Sequence, residues 1–296
     1  MLRFLRGPIL GVIAMIFWVL NTLFWTSFFF IIGLFKLIIP NKTWRRGCTG
    51  ILDELAGGWM STNNWLINLC IGVKWEVVGD VKLKMNDWYL VISNHQSWAD
   101  IVVLMQIFNR KIPLLKFFIK KQLIYVPILG LVWWALDYPF MKRYTKAKLA
   151  SKPQLRNKDL DVTLKACERF KDAPAAVMNF VEGSRFTPDK HQKQASPFKF
   201  LLNPRAGGIA NAINVMNKQL SGIIDVTIVY PKGFNTLWHL LSGKITTIKV
   251  FLRHIPIAPQ LVGDYQNDPE FRARFQSWLN TIWQEKDKLL LEAQAA

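Results

Sequence analysis

The chain has 296 residues, of which 51% are hydrophobic, and its formal net charge is +18 at pH 7. This length accommodates one sizeable α/β domain and an additional segment, and the charge indicates an anionic partner. The chain has no zinc-finger spacing, helix-turn-helix signature or CxxC pair, which argues against nucleic acid and a disulfide framework and favours a membrane surface, phosphates and a reducing cytoplasm.

The N-terminal part contains an apolar run over residues 8–40, in which Lys36 is the single charged residue. The run is too long for a secretory signal, and as one straight helix it would measure about 50 Å against about 30 Å for a hydrocarbon core. Asn21 and Thr22 near its middle mark a candidate turn. The positive-inside rule places both flanks in the cytoplasm because both are basic. The flanking cations are Arg3, Arg6, Lys42, Arg45 and Arg46.

We predict from this run a membrane-embedded helical hairpin in the cytoplasmic leaflet. Residues 1–46 would then form a membrane anchor, and residues 47–296 would form the main, cytoplasmic domain. A single membrane span is the main alternative, and a buried pair of core helices is the other.

Beyond the anchor, short runs rich in β-branched and aromatic residues alternate with helical patterns. Strands are predicted at residues 75–78, 88–92, 114–119, 175–181, 223–229 and 245–252. Helices are predicted at residues 98–109, 122–136, 160–171 and 205–218, and a final helix at Asp268 with Pro269 in its first position. The alternation predicts an α/β fold with a mixed, largely buried sheet flanked by helices.

The region from 110 to 148 is strongly basic, and Asp137 is its one acidic residue. Its cations form either an ordinary solvated face or a rim that meets anionic lipid or substrate phosphates. The apolar stretch 122–136 within it is short for a span and is interpreted as a buried or interfacial helix. The basic residues are Arg110, Lys111, Lys116, Lys120, Lys121, Lys142, Arg143, Lys146 and Lys148.

The segment NHQSWAD at residues 94–100 follows the predicted strand 88–92 and contains a candidate acid–base pair. His95 and Asp100 are five residues apart, so they would meet only if a loop enters a helix between them. Asp100 would then fix the ring tautomer, and the other ring nitrogen would take a proton from an alcohol. The alternative is a satisfied polar pair at the end of a strand.

A second polar segment, FVEGSR at residues 180–185, follows the apolar run of the strand at 175–181. Ligands bind at the carboxyl ends of strands in open α/β sheets, and arginine binds phosphate with two hydrogen bonds. Arg185 is therefore a candidate phosphate ligand. The alternative is a surface turn with a solvated arginine.

Four ordered segments resemble the glycerolipid acyltransferase family, which includes the lysophosphatidate acyltransferases. Residues 94–100 resemble its NHxxxxD block, and residues 180–185 resemble its FxEGTR-type block with serine in place of threonine. Residues 140–143 (FMKR) resemble an intermediate block that ends in a basic residue. Residues 226–231 (VTIVYP) resemble a last block, an apolar strand that ends in proline.

The resemblance implies transfer of a fatty acyl group from acyl-CoA or an acyl-carrier protein to the hydroxyl of lysophosphatidate, giving phosphatidate without a cofactor or a metal. The implied partners are a membrane lipid acceptor, the thioester donor and an anionic membrane surface. The implied catalytic residues are His95 and Asp100, with Asn94 and Ser97 as support. The implied phosphate ligands are Arg143, Glu182, Gly183, Ser184 and Arg185, and Tyr230 and Pro231 form the implied acyl or donor site.

Three other functions remain open on the residues alone. One is a remodelling acyltransferase that acts on another lysophospholipid. A second is a metal-assisted phospholipid hydrolase that uses His95, Asp100 and Glu182, although none of the four histidines forms a metal-ligand spacing with another. A third is a non-catalytic, basic, membrane-tethered binding protein, which would leave the NHQSWAD segment unexplained.

Overall fold

The computed structural model describes residues 7–141, 161, 163–168, 170–171, 173–233 and 235–295. The strands are β1 (Lys74–Val78), β2 (Trp88–Ser93), β3 (Leu115–Phe117), β4 (Ile119–Lys120), β5 (Phe140–Met141), β6 (Ala176–Phe180), β7 (Leu220–Val229) and β8 (Thr247–Ile255). Six of them form a sheet in the order β1-β8-β7-β2-β6-β3, and β4 pairs with β5. All neighbours are parallel except β7 and β8, so the sheet is mixed.

Helices cover both faces of the large sheet. They are α1 (Pro8–Ile38), α2 (Lys42–Leu66), α3 (Ala99–Phe108), α4 (Leu129–Ala135), α5 (Pro188–Gln194), α6 (Ala206–Met216), α7 (Leu237–Leu241) and α8 (Pro269–Ala295). A π-helical turn at Ile67–Ile71 extends α2, and 3-10 helices lie at Lys121–Tyr125 and Pro259–Leu261. The predicted final helix therefore begins at Pro269.

The inner strand β2 shows how the core is built, because its side chains alternate between two hydrophobic clusters. Tyr89 and Val91 pack in the cluster that contains α3, and Leu90 and Ile92 pack in the cluster that contains α6 and α8. Burial of both faces explains why β2 is a continuous apolar run. The predicted mixed, largely buried sheet flanked by helices is confirmed.

Two predicted elements are divided in the structure. The strand predicted at 114–119 separates into β3 and β4, which belong to different sheets. The helix predicted at 122–136 is interrupted around Pro127 and leaves a 3-10 helix before α4. Proline has no amide hydrogen to donate, and Ile128 after it has a left-handed φ of 68°. A continuous helix is therefore impossible at this point.

The predicted turn at Asn21 and Thr22 is wrong, because α1 is one continuous helix of 31 residues. The Asn21 side-chain amide donates to Asn63 Oδ1 in α2 at 2.9 Å, and the Thr22 hydroxyl donates to the Trp18 carbonyl at 2.8 Å. Both polar groups are satisfied without a break in the helix. The chain turns instead at residues 39–41, and α2 returns along α1.

The anchor boundary predicted after residue 46 falls inside α2, so it does not coincide with an end of a helix. α1 also contacts the rest of the chain at both of its ends. The Gly7 amide donates to the Ser242 carbonyl at 3.0 Å, and Lys36 Nζ donates to Asp137 Oδ2 at 2.6 Å. Within the described residues, α1 is the one helix long and apolar enough to cross a membrane, with a mean hydropathy of 2.0.

A buried charge cluster joins α8 to β7. Lys286 in α8 is 1% exposed, and its ammonium donates to Asp225 Oδ1 at 2.7 Å, to the Val226 carbonyl at 2.6 Å and to Thr227 Oγ1 at 2.9 Å. Arg253 on β8 donates to the other oxygen of the Asp225 carboxylate at 3.0 Å. Each donor of the buried ammonium therefore has an acceptor, as a charge removed from water requires.

We expect Lys286→Met to lower the free energy of unfolding by about 3 kcal/mol, because the buried Asp225 carboxylate loses one of its two cations. Lys288→Met is the matched control, since Lys288 lies on the same helix with 77% of its side chain exposed. Urea unfolding of detergent-solubilised protein, followed by circular dichroism, measures both variants. Equal stabilities for the two variants would contradict the importance of the buried cluster.

Candidate active site

Three adjacent parallel strands end at one edge of the sheet. β2 lies between β6 and β7, and its last residue, Ser93, pairs with Phe180 and Val226. Because the strands are parallel, the residues that follow each of them lie at the same carboxyl-terminal edge. These residues are His95 after β2, Glu182 after β6 and Tyr230 after β7.

Asn94 joins the end of β2 to β7. Its side chain is buried, with Nδ2 donating to the Ile228 carbonyl at 3.0 Å and Oδ1 accepting the Ile228 amide at 2.9 Å. These two bonds satisfy backbone groups that strand pairing would otherwise satisfy. Asn94 thereby sets the position at which His95 leaves the strand.

The His95 imidazole and the Asp100 carboxylate are in direct contact, with Nδ1 2.9 Å from Asp100 Oδ2. The same oxygen accepts the amides of Gln96 at 2.6 Å and Ser97 at 2.8 Å. An ionised Asp100 places the ring proton on Nδ1, and within the described residues no hydrogen bond occupies Nε2. The ring stacks on Phe180 with centroids 3.8 Å apart. Nε2 of a fixed imidazole is thus available as a base.

Ser97 is engaged in local structure. Its hydroxyl donates to the Asn235 carbonyl and accepts the Ala99 amide at 2.9 Å, and the residue is 7% exposed. These bonds hold the first turn of α3, which carries Asp100. The Ser97 side chain is therefore a local structural contact at the start of α3.

Tyr230, which the resemblance assigns to the acyl or donor site, lies behind Asp100. Its side chain is 2% exposed, and its hydroxyl donates to Asp100 Oδ1 at 2.7 Å. Burial and the adjacent Asp100 charge raise the pKa of Tyr230 well above its ordinary value, so the phenol keeps its proton. Pro231 is half-buried and begins a turn in which the Gly233 amide donates to the Tyr230 carbonyl at 2.9 Å.

Glu182 is fully buried and joins two chain segments. Its Oε1 accepts the His95 amide at 2.9 Å, and its Oε2 accepts the Leu202 amide at 2.9 Å. Burial raises the pKa of Glu182 to about 8, while the two amides act in the opposite direction. Both oxygens are occupied, so the position of Glu182 supports the loop that carries His95 and not the phosphate contact expected from the sequence.

The turn after β6 places Arg185 at the surface of the site. Gly183 has a φ of 69°, a left-handed conformation that glycine adopts easily, and its amide donates to the Phe180 carbonyl at 2.8 Å. Ser184 is half-buried, and Arg185 is exposed. The Arg185 guanidinium lies 5.2 Å from the centre of the Trp98 ring, which limits its freedom.

Sequence reasoning missed two residues beside this turn. Trp98 is 53% exposed and belongs to the NHQSWAD segment. Its place in the same segment as His95 was the sequence signal that could have indicated a role in the site. Arg205 precedes α6, and its guanidinium lies against Gly183, where a side-chain Cβ would be 3.3 Å from Nη1. The Arg205 amide donates to the Val181 carbonyl at 2.9 Å. Nothing in the local sequence indicates this contact, because it depends on how the two distant segments pack in the fold.

The basic region divides into described and undescribed parts. Arg143, expected as a phosphate ligand, lies outside the described residues. Lys116 is buried and does not belong to a rim, since its Nζ lies 2.7 Å from Asp53 Oδ1. The exposed members of the region are Arg110, Lys111, Lys120 and Lys121, and the remaining undescribed ones are Lys142, Lys146 and Lys148.

In the part of the chain that the structure describes, no group of three or more His, Cys, Asp or Glu side chains is placed to hold a metal ion. Glu182 uses both oxygens for backbone amides, and Asp100 uses both for neighbouring donors. The residues considered for a metal-assisted hydrolase therefore share no free set of ligands.

Part of this chain matches a known protein family. The acyltransferase family profile matches residues 74–231, which is more than half of the chain. The 1-acyl-sn-glycerol-3-phosphate acyltransferase gamma of Homo sapiens is 27% identical over 181 residues, covering 57% of this chain and 43% of that protein. The delta form of Mus musculus is 27% identical over 179 residues, covering 57% and 42%. This chain thus spans less than half the length of these relatives.

A solved structure shares the fold. The crystal structure of the 1-acyl-sn-glycerophosphate (LPA) acyltransferase PlsC from Thermotoga maritima is similar with a TM-score of 0.52 and 14% sequence identity, over 97% of this chain and 98% of that one. The profile match contains both segments that form the site, NHQSWAD and FVEGSR. On this match, the chain belongs to the acyltransferase family.

Proposed function

We propose that this chain transfers a fatty acyl group from an acyl thioester to the free hydroxyl of lysophosphatidate, which gives phosphatidate. The observation that carries the proposal is the contact between His95 and Asp100 at the end of β2, with Nε2 unoccupied by the described residues. Arg185, after the neighbouring strand, supports a phosphate-bearing acceptor. The names of the relatives point to the same reaction.

The proposed mechanism is a direct transfer. His95 Nε2 removes the proton of the acceptor hydroxyl, and that oxygen attacks the thioester carbonyl carbon to form the ester bond. The carbon–sulfur bond then breaks, and the departing thiolate takes the proton from the imidazolium. The Asp100 carboxylate stabilises the imidazolium between these steps. No acyl-enzyme is required, and Ser97 serves as a local contact at the start of α3.

The proposed acceptor site uses Arg185, because an exposed guanidinium limited by an aromatic ring is suited to bind phosphate with two hydrogen bonds. A lysolipid panel tests the identity of the acceptor. Lysophosphatidate should have the highest kcat/KM, and a higher value for a lysophospholipid diester would favour a remodelling enzyme.

The proposed donor is acyl-CoA or an acyl-carrier protein. Both carry an acyl thioester on an anionic, phosphate-bearing carrier, which suits a chain of net charge +18. Parallel assays of the purified protein with the two donors measure the preference as a ratio of kcat/KM values.

We also propose that α1 lies along the cytoplasmic surface of a membrane with its exposed apolar side in the hydrocarbon. The helix is about 46 Å long, yet Gly7 and Lys36 at its two ends both contact the domain. A helix crossing the bilayer would place these ends on opposite sides. Among the exposed apolar residues of α1 are Ile9, Phe17, Phe24, Leu34 and Ile38.

Replacement of His95 by Ala should reduce kcat by about a thousandfold, because the general base is lost. Asp100→Asn should reduce it nearly as much, since the tautomer is no longer fixed. His254→Ala is the control, because His254 is exposed and bonds the Ser221 carbonyl on β7. Acyl transfer is measured with labelled donor, and circular dichroism checks folding. A His95→Ala variant that keeps a tenth of the rate would end the general-base proposal.

Arg185→Gln should raise the KM for lysophosphatidate roughly tenfold and leave the donor KM within twofold, because a charged contact to the acceptor phosphate is lost. Trp98→Ala should also raise the KM for lysophosphatidate, by a smaller factor. Arg274→Gln controls for removal of an exposed arginine, since its side chain is 63% exposed on α8. A rise in the donor KM instead would indicate that the turn carrying Arg185 binds the acyl donor.

Surface labelling tests the orientation of α1. The native cysteines are buried, so Leu2→Cys and Lys42→Cys provide single reactive thiols at the two flanks. A membrane-impermeant maleimide should label both from the cytoplasmic side of oriented vesicles, because both flanks are basic. Labelling of the two positions from opposite sides would establish a span.

A further inference from the structure

The phenol of Tyr230 is a buried group that the proposed transfer does not use. Tyr230 follows β7, whereas the NHQSWAD segment follows β2, and 130 residues separate Tyr230 from Asp100 in sequence. Its hydroxyl is nonetheless 2.7 Å from Asp100 Oδ1. A buried tyrosine hydroxyl can donate to many carbonyls, so its placement on the carboxylate that contacts His95 calls for a functional explanation.

The four hydrogen bonds to Asp100 are divided unequally between its oxygens. Oδ2 accepts the His95 ring and the amides of Gln96 and Ser97. Within the described residues, Oδ1 accepts Tyr230 alone. A carboxylate has about two acceptor positions on each oxygen, so Oδ2 is fully used and the Tyr230 hydroxyl is the one described partner of Oδ1. Three of the four come from Asp100's own loop, and Tyr230 is the one supplied by another strand.

We propose that Tyr230 is a positioning residue for acyl transfer, which fixes the rotation of the Asp100 carboxylate and draws negative charge toward Oδ1. This inference rests on the proposed function. With the carboxylate held by β7, Oδ2 stays in line with His95 Nδ1 while the imidazole gains and loses its proton. The phenol also limits how strongly Asp100 attracts that proton, because a hydrogen bond to a carboxylate stabilises its charge.

The other ionisable groups around the pair define what a pH experiment measures. Glu182 contacts the His95 backbone from the end of β6, and the Arg185 guanidinium lies over the ring of Trp98 in the NHQSWAD segment. The positive charge of Lys286, on α8, acts to lower the pKa of Glu182. None of these groups is changed by a substitution at Tyr230. A shift of the profile between variants therefore reports the effect of the phenol on the His95 and Asp100 pair.

The first experiment compares Tyr230→Phe with Tyr138→Phe in the whole 296-residue chain. The two tyrosines are matched, because Tyr138 is also buried and its hydroxyl donates to the Leu115 carbonyl at 2.7 Å, away from His95. Tyr230→Phe should lower kcat about tenfold and leave both KM values within twofold, since one bond to a charged group is lost. Tyr138→Phe should keep the wild-type kcat. Equal effects of the two variants would overturn the positioning role.

The second measurement is the acid limb of the kcat/KM profile against pH. Loss of the phenol concentrates charge on Oδ2 and stabilises the imidazolium, so Tyr230→Phe should move the limb to higher pH. Substitution of 3-fluorotyrosine at position 230 keeps the shape of the side chain and makes the phenol a stronger donor, so the limb should move to lower pH. Unchanged profiles in a folded fluorotyrosine protein would overturn the proposal, even if Tyr230→Phe failed to fold.

Different results would contradict acyl transfer by this chain and the positioning role of Tyr230. Absence of acyl transfer by the wild-type protein would remove the proposed function, and a fully active His95→Ala variant would remove the general-base step; either result would remove the positioning role as well. An inactive His95→Ala variant combined with wild-type kcat and pH profile for Tyr230→Phe would retain the acyltransferase proposal and reject the role of Tyr230 alone.

Discussion

Two carboxyl groups, those of Asp100 and Glu182, are buried where β2 and β6 end, and buried polar oxygens require hydrogen-bond partners. The donors come from separate parts of the chain: the loop after β2, the residue after β7 and the segment before α6. The neighbouring order of β6, β2 and β7 brings these parts together. The hydrogen bonds that offset the free-energy cost of burying Asp100 and Glu182 therefore also fix the imidazole of His95 and the turn before Arg185.

Local sequence predicted the features that local physics determines. The strands are short apolar runs bounded by polar segments, and both faces of β2 are buried, so composition alone marks it. The contact between His95 and Asp100 was predictable because both residues belong to one short segment that enters a helix. The interruption of the helix near Pro127 was also visible in principle, since proline in the interior of a helix removes a backbone hydrogen bond and clashes with the preceding turn.

Features that depend on distant parts of the chain were not predictable in this way. Asn21 resembles a helix breaker until Asn63 in α2 satisfies it. Glu182 looks like a ligand in the FVEGSR segment, and only the fold reveals that two amides occupy its oxygens. Arg205 reaches the site from an element with no sequence link to it, and the resemblance that assigned Tyr230 to the site did not indicate its contact with Asp100. In each case the deciding partner is more than fifteen residues away.

The attachment of α1 at both ends has a consequence for how the protein would leave a membrane in the proposed orientation. A free amphipathic helix detaches by peeling from one end, so that few apolar residues meet water at a time. Gly7 and Lys36 tie the ends of α1 to the domain and prevent peeling. Release then exposes the whole apolar side in a single step, and the free-energy cost of that exposure adds up over every residue. Successive turnovers would take place on one vesicle, by lateral movement, before the protein exchanged to another.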